Sequence, residues 1–446
     1  MGPPDGGRPI STIKIIDWKR VSTAFEKIDT PPLNSIADDI RTTKQIDHAI
    51  GALTSHVRTV VGKYERKVPT SSDRRKFSPD ILELIIAKNA ALRRASTYPT
   101  PEYRSRARAL QRETGRPTLD DAEVAECLTD SIETQCSHAS PPHDIAHISR
   151  IEEVVLQKTS LETKNDLTPV SLSEVQTLVK SLKTRKAPGL DGVSNKAIKC
   201  FSQPLLSLLV AIFNACLRNC YFAPAWKEAQ VIGIHKPGKP RDLPASYRPI
   251  SLLSGLAKLY ERVLKTRLSA HLLGKGLIID EQFGFRPAHS CPQQVFRLVE
   301  YVTEGFKSKQ KTVAVFFDVA KAFDMMWHAG LVYKLYSLQV PDRLIFIIQN
   351  YLSNRYFTCR HERTHSTRRL IRAGVPQGSA LSPLLHSAYT NDIPIPTSGV
   401  QLALFADDTA LYYKSRNRSS RSTLHLQRAI DELGQCFRLW RIRCQS

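Results

Sequence analysis

Three carboxylates stand where carboxylates are costly. Residues 312–317, Thr-Val-Ala-Val-Phe-Phe, form a continuous β-branched and aromatic run, the pattern of a strand buried on both faces, and Asp318 ends it. A carboxylate at the end of a buried strand costs free energy unless it is paired or binds a cation. The other reading of Asp318 is a helix N-cap, since helical spacing continues from Ala320 to Leu335, and taken alone Asp318 fits that role better. A second acidic position lies in 402–413, Leu-Ala-Leu-Phe-Ala-Asp-Asp-Thr-Ala-Leu-Tyr-Tyr, where two apolar runs flank Asp407-Asp408 with no Gly or Asn to ease the turn. Two like charges at the tip of an apolar hairpin repel each other and lose solvent, and a divalent cation removes that cost. Oxygen ligands with no Cys or His nearby indicate Mg²⁺, with Mn²⁺ as the alternative. Two acidic strand ends converging on two metals describe an in-line phosphoryl-transfer site. Neither position is decisive by itself; together, on a basic chain, they favour nucleotidyl transfer.

The chain is basic, and unevenly so. Its 446 residues carry 64 Lys+Arg against 42 Asp+Glu, a formal charge of +22. Residues 1–160 hold 24 against 22, and residues 161–446 hold 40 against 20. Such a field points first to nucleic acid and second to an acidic membrane, with a solvated basic surface as the plain alternative. The membrane reading lacks a basic amphipathic helix or a lipidation site. The longest apolar stretch, Leu205 to Phe213, is broken by Ser207 and is too short to span a bilayer. Residues 1–10 have no secretory pattern, and Gly6 departs from a myristoylation context at Gly2. Nine scattered cysteines fit a reducing compartment, so the expectation is a soluble intracellular protein of two or three domains. The arginines at 93, 94, 104, 106, 108, 112 and 116 either touch nucleic acid or form a solvated helix face.

The elements that must position the carboxylates are partly legible. Helical spacing covers 34–64 and 80–113, the second starting near Ser78-Pro79-Asp80. Residues 114–150 are mixed, with a loop at Pro141-Pro142. A short helix over Ser171 to Lys183 opens on a capping-box pattern, Ser171 with Glu174. Lys186 to Gly192 is a basic turn-rich segment, Leu205 to Leu217 a buried helix, and Gln230 to Ile234 a short strand.

These segments resemble, in order, the motifs of the non-LTR (LINE-type, jockey-like) retrotransposon reverse transcriptases. Phe316-Phe317-Asp318 through Asp324 resembles the first palm motif, Gly374 to Pro383 (Gly-Val-Pro-Gln-Gly-Ser-Ala-Leu-Ser-Pro) the second, and Phe405-Ala406-Asp407-Asp408 the third. Lys186 to Gly192, Ile234 to Lys239, Tyr247-Arg248-Pro249-Ile250-Ser251 and Gln282-Phe283-Gly284-Phe285-Arg286-Pro287 resemble the finger motifs. The strong likeness covers about 171–446, and residues 12–113 loosely resemble the family's helical linker.

The resemblance implies an α/β fold, right-hand fingers and palm with an antiparallel palm sheet and helices. Residues 1–165 would be the mainly helical N-terminal region and 166–446 the reverse transcriptase domain, with fingers at 166–300, palm at 301–446 and the thumb absent. It implies that Asp318, Asp407 and the Val319 carbonyl hold two metals, with Asp408 less directly involved. Phe323 falls at the aromatic gate against a 2′-hydroxyl, with an ordinary core aromatic as the alternative. Arg248, with Lys236 or Lys239, would neutralise triphosphate charge; Gln377 and Gly378 would lie beneath the incoming nucleotide; Lys186 and Arg286 would contact nucleic acid. The implied partners are an RNA template, a DNA primer, deoxynucleotides and an element RNA particle, in nucleus and cytoplasm, with no membrane.

Two patterns compete, and some departures stand out. His361-Glu362-Arg363-Thr364-His365 fits the zinc-protease HExxH pattern, but its polar flanks argue for a surface hairpin. Cys136, His138, His143 and His147 match no common zinc spacing and read as a loop cluster. Nothing resembles the family's endonuclease, and 114–165 is short for its linker. Leu439 to Arg443 resembles the start of the fourth palm motif, while Ser446 precedes the expected lysine, primer grip and thumb. The expectation is RNA-templated DNA synthesis by a truncated or decayed element copy with an intact triad. The alternatives are a non-catalytic nucleic-acid-binding remnant and a maturase-like or telomerase-like enzyme, the latter disfavoured by the Arg-Pro-Ile-Ser and Gly-Phe-Arg-Pro segments.

Overall fold

The computed structural model describes residues 12–69, 121–137, 144–159, 167–238, 244–362, 364–416 and 420–444. The helix expected over 80–113, the arginines from 93 to 116, His138, His143, Arg363 and Lys239 lie outside them. The chain opens with β1 (Thr12–Ile16), α1 (Trp18–Ala24), α2 (Pro31–Asn34) and α3 (Thr43–Lys63), and β2 (Glu65–Pro69) then pairs antiparallel with β1. α3 starts at Thr43 rather than near residue 34 because Thr42 and Gln45 cap it reciprocally, through bonds of 3.3 and 3.0 Å. The small β1–β2 ribbon is an addition to the helical N-terminal region expected there. α4 (Asp121–Gln135) and α5 (Ile145–Thr159) follow.

α6 (Leu172–Lys180) has half of its expected capping box. Ser171 Oγ accepts the Glu174 N–H at 3.1 Å, but the Glu174 carboxylate turns to Arg267 in a two-pronged ion pair of 2.7 and 3.1 Å. Next come α7 (Asn195–Lys199), the buried α8 (Gln203–Arg218), β3 (Glu228–His235), β4 (Tyr247–Leu252) and α9 (Gly255–Leu272). The order continues with α10 (Cys291–Lys307), β5 (Lys311–Asp318), α11 (His328–Ser337), α12 (Asp342–Leu352), β6 (Arg355–His361), β7 (Thr364–His365) and β8 (Arg369–Ile371). α13 (Ser382–Tyr389), β9 (Gln401–Phe405), β10 (Asp408–Ser415) and α14 (Ser420–Leu439) complete it.

The expected mixed α/β fold is present, with two main sheets among the described residues. One runs β4-β3-β6-β7 with β8 also on β6; β3 and β6 are parallel and the other pairs antiparallel. The other is the antiparallel sheet β5-β10-β9. One face of it, with Leu402, Leu404 and Leu411, joins the main core of helix residues; Tyr301 of α10 covers the other face by meeting Tyr412 at 5.0 Å. Within the main core, Phe213, Phe222, Trp226, Tyr260 and Tyr351 pack ring against ring at 5.1–6.1 Å.

Two expectations are corrected. β5 is an edge strand and not buried on both faces: only β10 pairs with it, and Val313 is 52% and Phe316 68% exposed. Helical structure does not run from Ala320 to Leu335 either; 320–324 form turns with Lys321 at φ +52°, and α11 starts only at His328. Asp318 is therefore a strand end and no helix N-cap. Trp226 is 2% exposed in the ring cluster, so Trp226→Ala is expected to cost about 3–5 kcal/mol in denaturant unfolding. A loss below about 1 kcal/mol would show that the cluster does not hold the core together.

Candidate active site

The register of β5 against β10 sets Asp318 opposite Asp408, and Asp408 opposite Phe405 on β9. Ala406 and Asp407 are then the two turn residues, which gathers all three carboxylates at one end of the sheet. Ala406 takes φ +59°, a left-handed conformation that costs a residue with a Cβ roughly 1–2 kcal/mol. No Gly eases this turn; a neighbouring segment holds it instead. Gln282, 1% exposed, accepts the N–H of Ala406 at 3.1 Å and of Gly284 at 2.8 Å through the same Oε1. Leu404 donates to Glu281 O and accepts from Phe283 N, each at 3.0 Å. Gln294 Nε2 donates to the carbonyls of Glu281 at 3.0 Å and Leu404 at 3.3 Å. A Cβ at Gly284 would stand 2.0 Å from Ala406 N, so only glycine allows this approach.

Burial raises the Asp408 pKa from 3.8, and the charges of Asp407 and Asp318 raise it further. Among the described residues no basic side chain pairs with any of the three, and no group of three His, Cys, Asp or Glu stands ready-made as a metal cage. The donor set is carboxylate oxygen with uncompensated charge, which fits a hard divalent cation that retains water.

A second wall is built on the turn that follows β5. Gly374, at φ +84°, donates to Met326 O at 2.8 Å, and Val375 donates to Phe323 O at 2.7 Å. Gln377 Nε2 donates to both oxygens of Asp324 at 2.9 Å. Burial pushes the Asp324 carboxyl up to about 6, against the opposing pull of Gln377, Lys321 and Lys236. Ser251 of β4 donates to Gln377 O at 2.8 Å, and Gly378, at φ +115°, lies against Ser251 O. Beyond it, Ser379 Oγ and the Ala380 N–H both donate at 2.7 Å to Glu261, which is wholly buried and whose pKa burial raises.

The structure thus brings Asp318, Asp407 and Asp408 together and sets Val319, buried, beside them. Phe323, Gln377 and Gly378 share the second wall. Arg248 is exposed on β4 opposite Ile234; Lys236 follows β3, half-buried, with its N–H on Ser246 O at 2.7 Å. Lys186 is exposed, whereas Arg286 binds Ile279 O and Asp280, each at 3.1 Å. His361 to His365 is the β6–β7 hairpin, as expected, and not a zinc-binding helix. Cys136 packs in a small core with Ile132 and Cys359, and His147 meets Trp440 at 5.3 Å. Gln282, Asp324 and Glu261 had no assigned role in the sequence reading. The first two lie inside quoted motifs, while Glu261 carries no local signal.

A raised folded-state pKa means that the Asp408 charge destabilises the fold at neutral pH, and that this penalty vanishes below pH 3.8. Asp408→Asn is expected to raise the melting temperature at pH 7 by on the order of one degree, because the group is largely solvated, with no gain at pH 3. A lower melting temperature at pH 7 would contradict the unpaired-charge reading.

Residues 234–446, which hold all three carboxylates, match the family described as reverse transcriptase (RNA-dependent DNA polymerase). The chain is 37% identical over 334 residues to the "Probable RNA-directed DNA polymerase from transposon BS" of Drosophila melanogaster, covering 73% of this chain and 36% of that protein. It is 34% identical over 365 residues to the RNA-directed DNA polymerase from mobile element jockey of the same species, covering 79% and 38%. The jockey polymerase of Drosophila funebris is 38% identical over 283 residues, covering 62% and 30%. The chain spans a little over a third of the length of the first of these relatives. By descent of the segment that builds the three-carboxylate turn, the chain belongs to the reverse transcriptases of non-LTR retrotransposons.

Proposed function

We propose that this chain carries out RNA-templated DNA synthesis, adding deoxynucleotides to a primer 3′-hydroxyl. The observation that supports it most is the in-register pairing of Asp318 with Asp408 beside the strained Ala406-Asp407 turn. A sheet that holds unpaired carboxylates together is built for cations, and its relatives are named as RNA-directed DNA polymerases. In this reading 301–446, with the β5-β10-β9 sheet, α11, α13 and α14, is the palm, and 166–300, with β3, β4 and α9, is the fingers.

Asp318, Asp407 and the Val319 carbonyl would hold two Mg²⁺ ions, with Asp408 tuning the charge. Held there, such ions would supply activation of the primer hydroxyl and charge stabilisation of the pyrophosphate leaving group. Arg248, exposed on β4, neutralises the triphosphate, with Lys236 or Lys239 in support. Gln377 and Gly378 form the floor under the incoming base, a floor tied to β4 through Ser251. Phe323 stands beside the sugar. Lys186 and Arg286 bind the template backbone, Arg286 with its fork already oriented by Asp280. The natural partners are an RNA template, a DNA primer, dNTPs and an element RNA particle, and the place of action is the nucleus and cytoplasm.

Primer extension on an RNA template with Mg²⁺ tests the proposal, with Asp407→Asn as the control. The variant is expected to lose at least about a thousandfold in rate while keeping template–primer affinity. Salt-dependent binding by the intact chain with no Mg²⁺-dependent extension would overturn it in favour of a binding role alone.

A further inference from the structure

Phe323 belongs to a closed set of three rings. It stacks on His386 of α13 with centroids 5.1 Å apart and 28° between planes. Phe285 meets Phe323 edge-on at 5.8 Å and 75°, and meets His386 at 6.2 Å and 78°. The rings come from three separate stretches of chain, two of them anchored to the site by hydrogen bonds and the third buried. Phe285, 42% exposed at φ +60°, ends the segment whose Gln282 braces Ala406. The Phe323 carbonyl is held by the Val375 N–H. His386 is 2% exposed, and its Nδ1 has no hydrogen-bond partner among the described residues. Burial drops its pKa to about 4, so the ring that faces Phe323 is a neutral, flat imidazole at physiological pH. With Nδ1 making no hydrogen bond, what this side chain supplies is its face.

A steric gate rejects a 2′-hydroxyl only if its ring cannot yield by a fraction of an ångström. Beside His386 lies a cavity of about 20 Å³, lined by Met325, Met326 and Tyr389, and removing the imidazole would enlarge that space on the side of His386 that backs Phe323. We propose that His386 and Phe285 are positioning residues that fix the plane of Phe323, and that they thereby set how strictly the site separates deoxyribonucleotides from ribonucleotides. The inference rests on the polymerase reading with Phe323 beside the sugar.

The test is the dGTP-to-GTP selection ratio of the full chain on template–primer. It is read from single-nucleotide incorporation and, independently, from the dGTP and GTP concentrations that stabilise the ternary complex in Ca²⁺. Phe323→Ala is expected to lose most of the selection. His386→Ala and Phe285→Ala should each lower the ratio by about tenfold, chiefly through a lower KM for GTP, whereas general damage would weaken both nucleotides together. His386→Phe keeps a flat face and should retain the wild-type ratio; His386→Leu, which fills the volume without one, should lower it even if the alanine variant folds poorly. An unchanged ratio in His386→Leu and Phe285→Ala, with selection lost in Phe323→Ala, overturns the backing role. Unchanged selection in Phe323→Ala overturns the gate reading beneath it.

Discussion

The register between β5 and β10 sets Asp318 directly across from Asp408, an arrangement that two carboxylates oppose. The apolar residues of the same strands impose it. Leu402, Leu404 and Leu411 are each 2% exposed or less, and a slip of one residue would turn such side chains to the wrong face. Burial of several leucines at roughly 1.5–3 kcal/mol each outweighs the repulsion of partly solvated charges. The sheet therefore spends packing energy to hold a cluster that no side chain of the described residues neutralises.

Holding the cluster in place requires rigid loops, and these are fastened by buried polar side chains. Gln282 fixes the left-handed Ala406, Asp324 fixes Gln377, and Glu261 fixes Ser379 and Ala380. Each accepts or donates with charge or amide geometry that a loop of its own could not supply. A buried group that loses its partner pays its full desolvation penalty, so these contacts act as latches that are either closed or costly. Through Ser251 and Gln377 they also join β4, with Arg248, to the wall that carries Phe323. Main-chain bonds from Ser251 to Gln377 and from Val375 to Phe323 thus tie β4 to the loop that follows β5.

The chemistry was more legible in the sequence than the packing was. Asp407-Asp408 between two apolar runs identified the turn, because the pattern itself is unfavourable without a cation. The 312–317 run reads as doubly buried in the sequence, but composition shows apolarity and not which strand lies at an edge; Phe316 is exposed. Asp318 was ambiguous between strand end and helix cap, and the left-handed Lys321 that breaks the helix has no glycine to announce it. Glu261 sits in an ordinary helix, and its role arises only when residues more than a hundred positions away fold onto it. The family resemblance supplied the order of motifs; the latches that make those motifs a site are tertiary.

The central claim is that the paired strands create a two-metal site. Electron paramagnetic resonance of Mn²⁺, titrated into the chain with template–primer and a non-hydrolysable deoxynucleotide, measures it directly. The account predicts two tightly bound ions per chain, reduced in Asp318→Asn and in Asp407→Asn, with spin coupling between the pair. Binding that is absent, or unchanged when either carboxylate is neutralised, would contradict it.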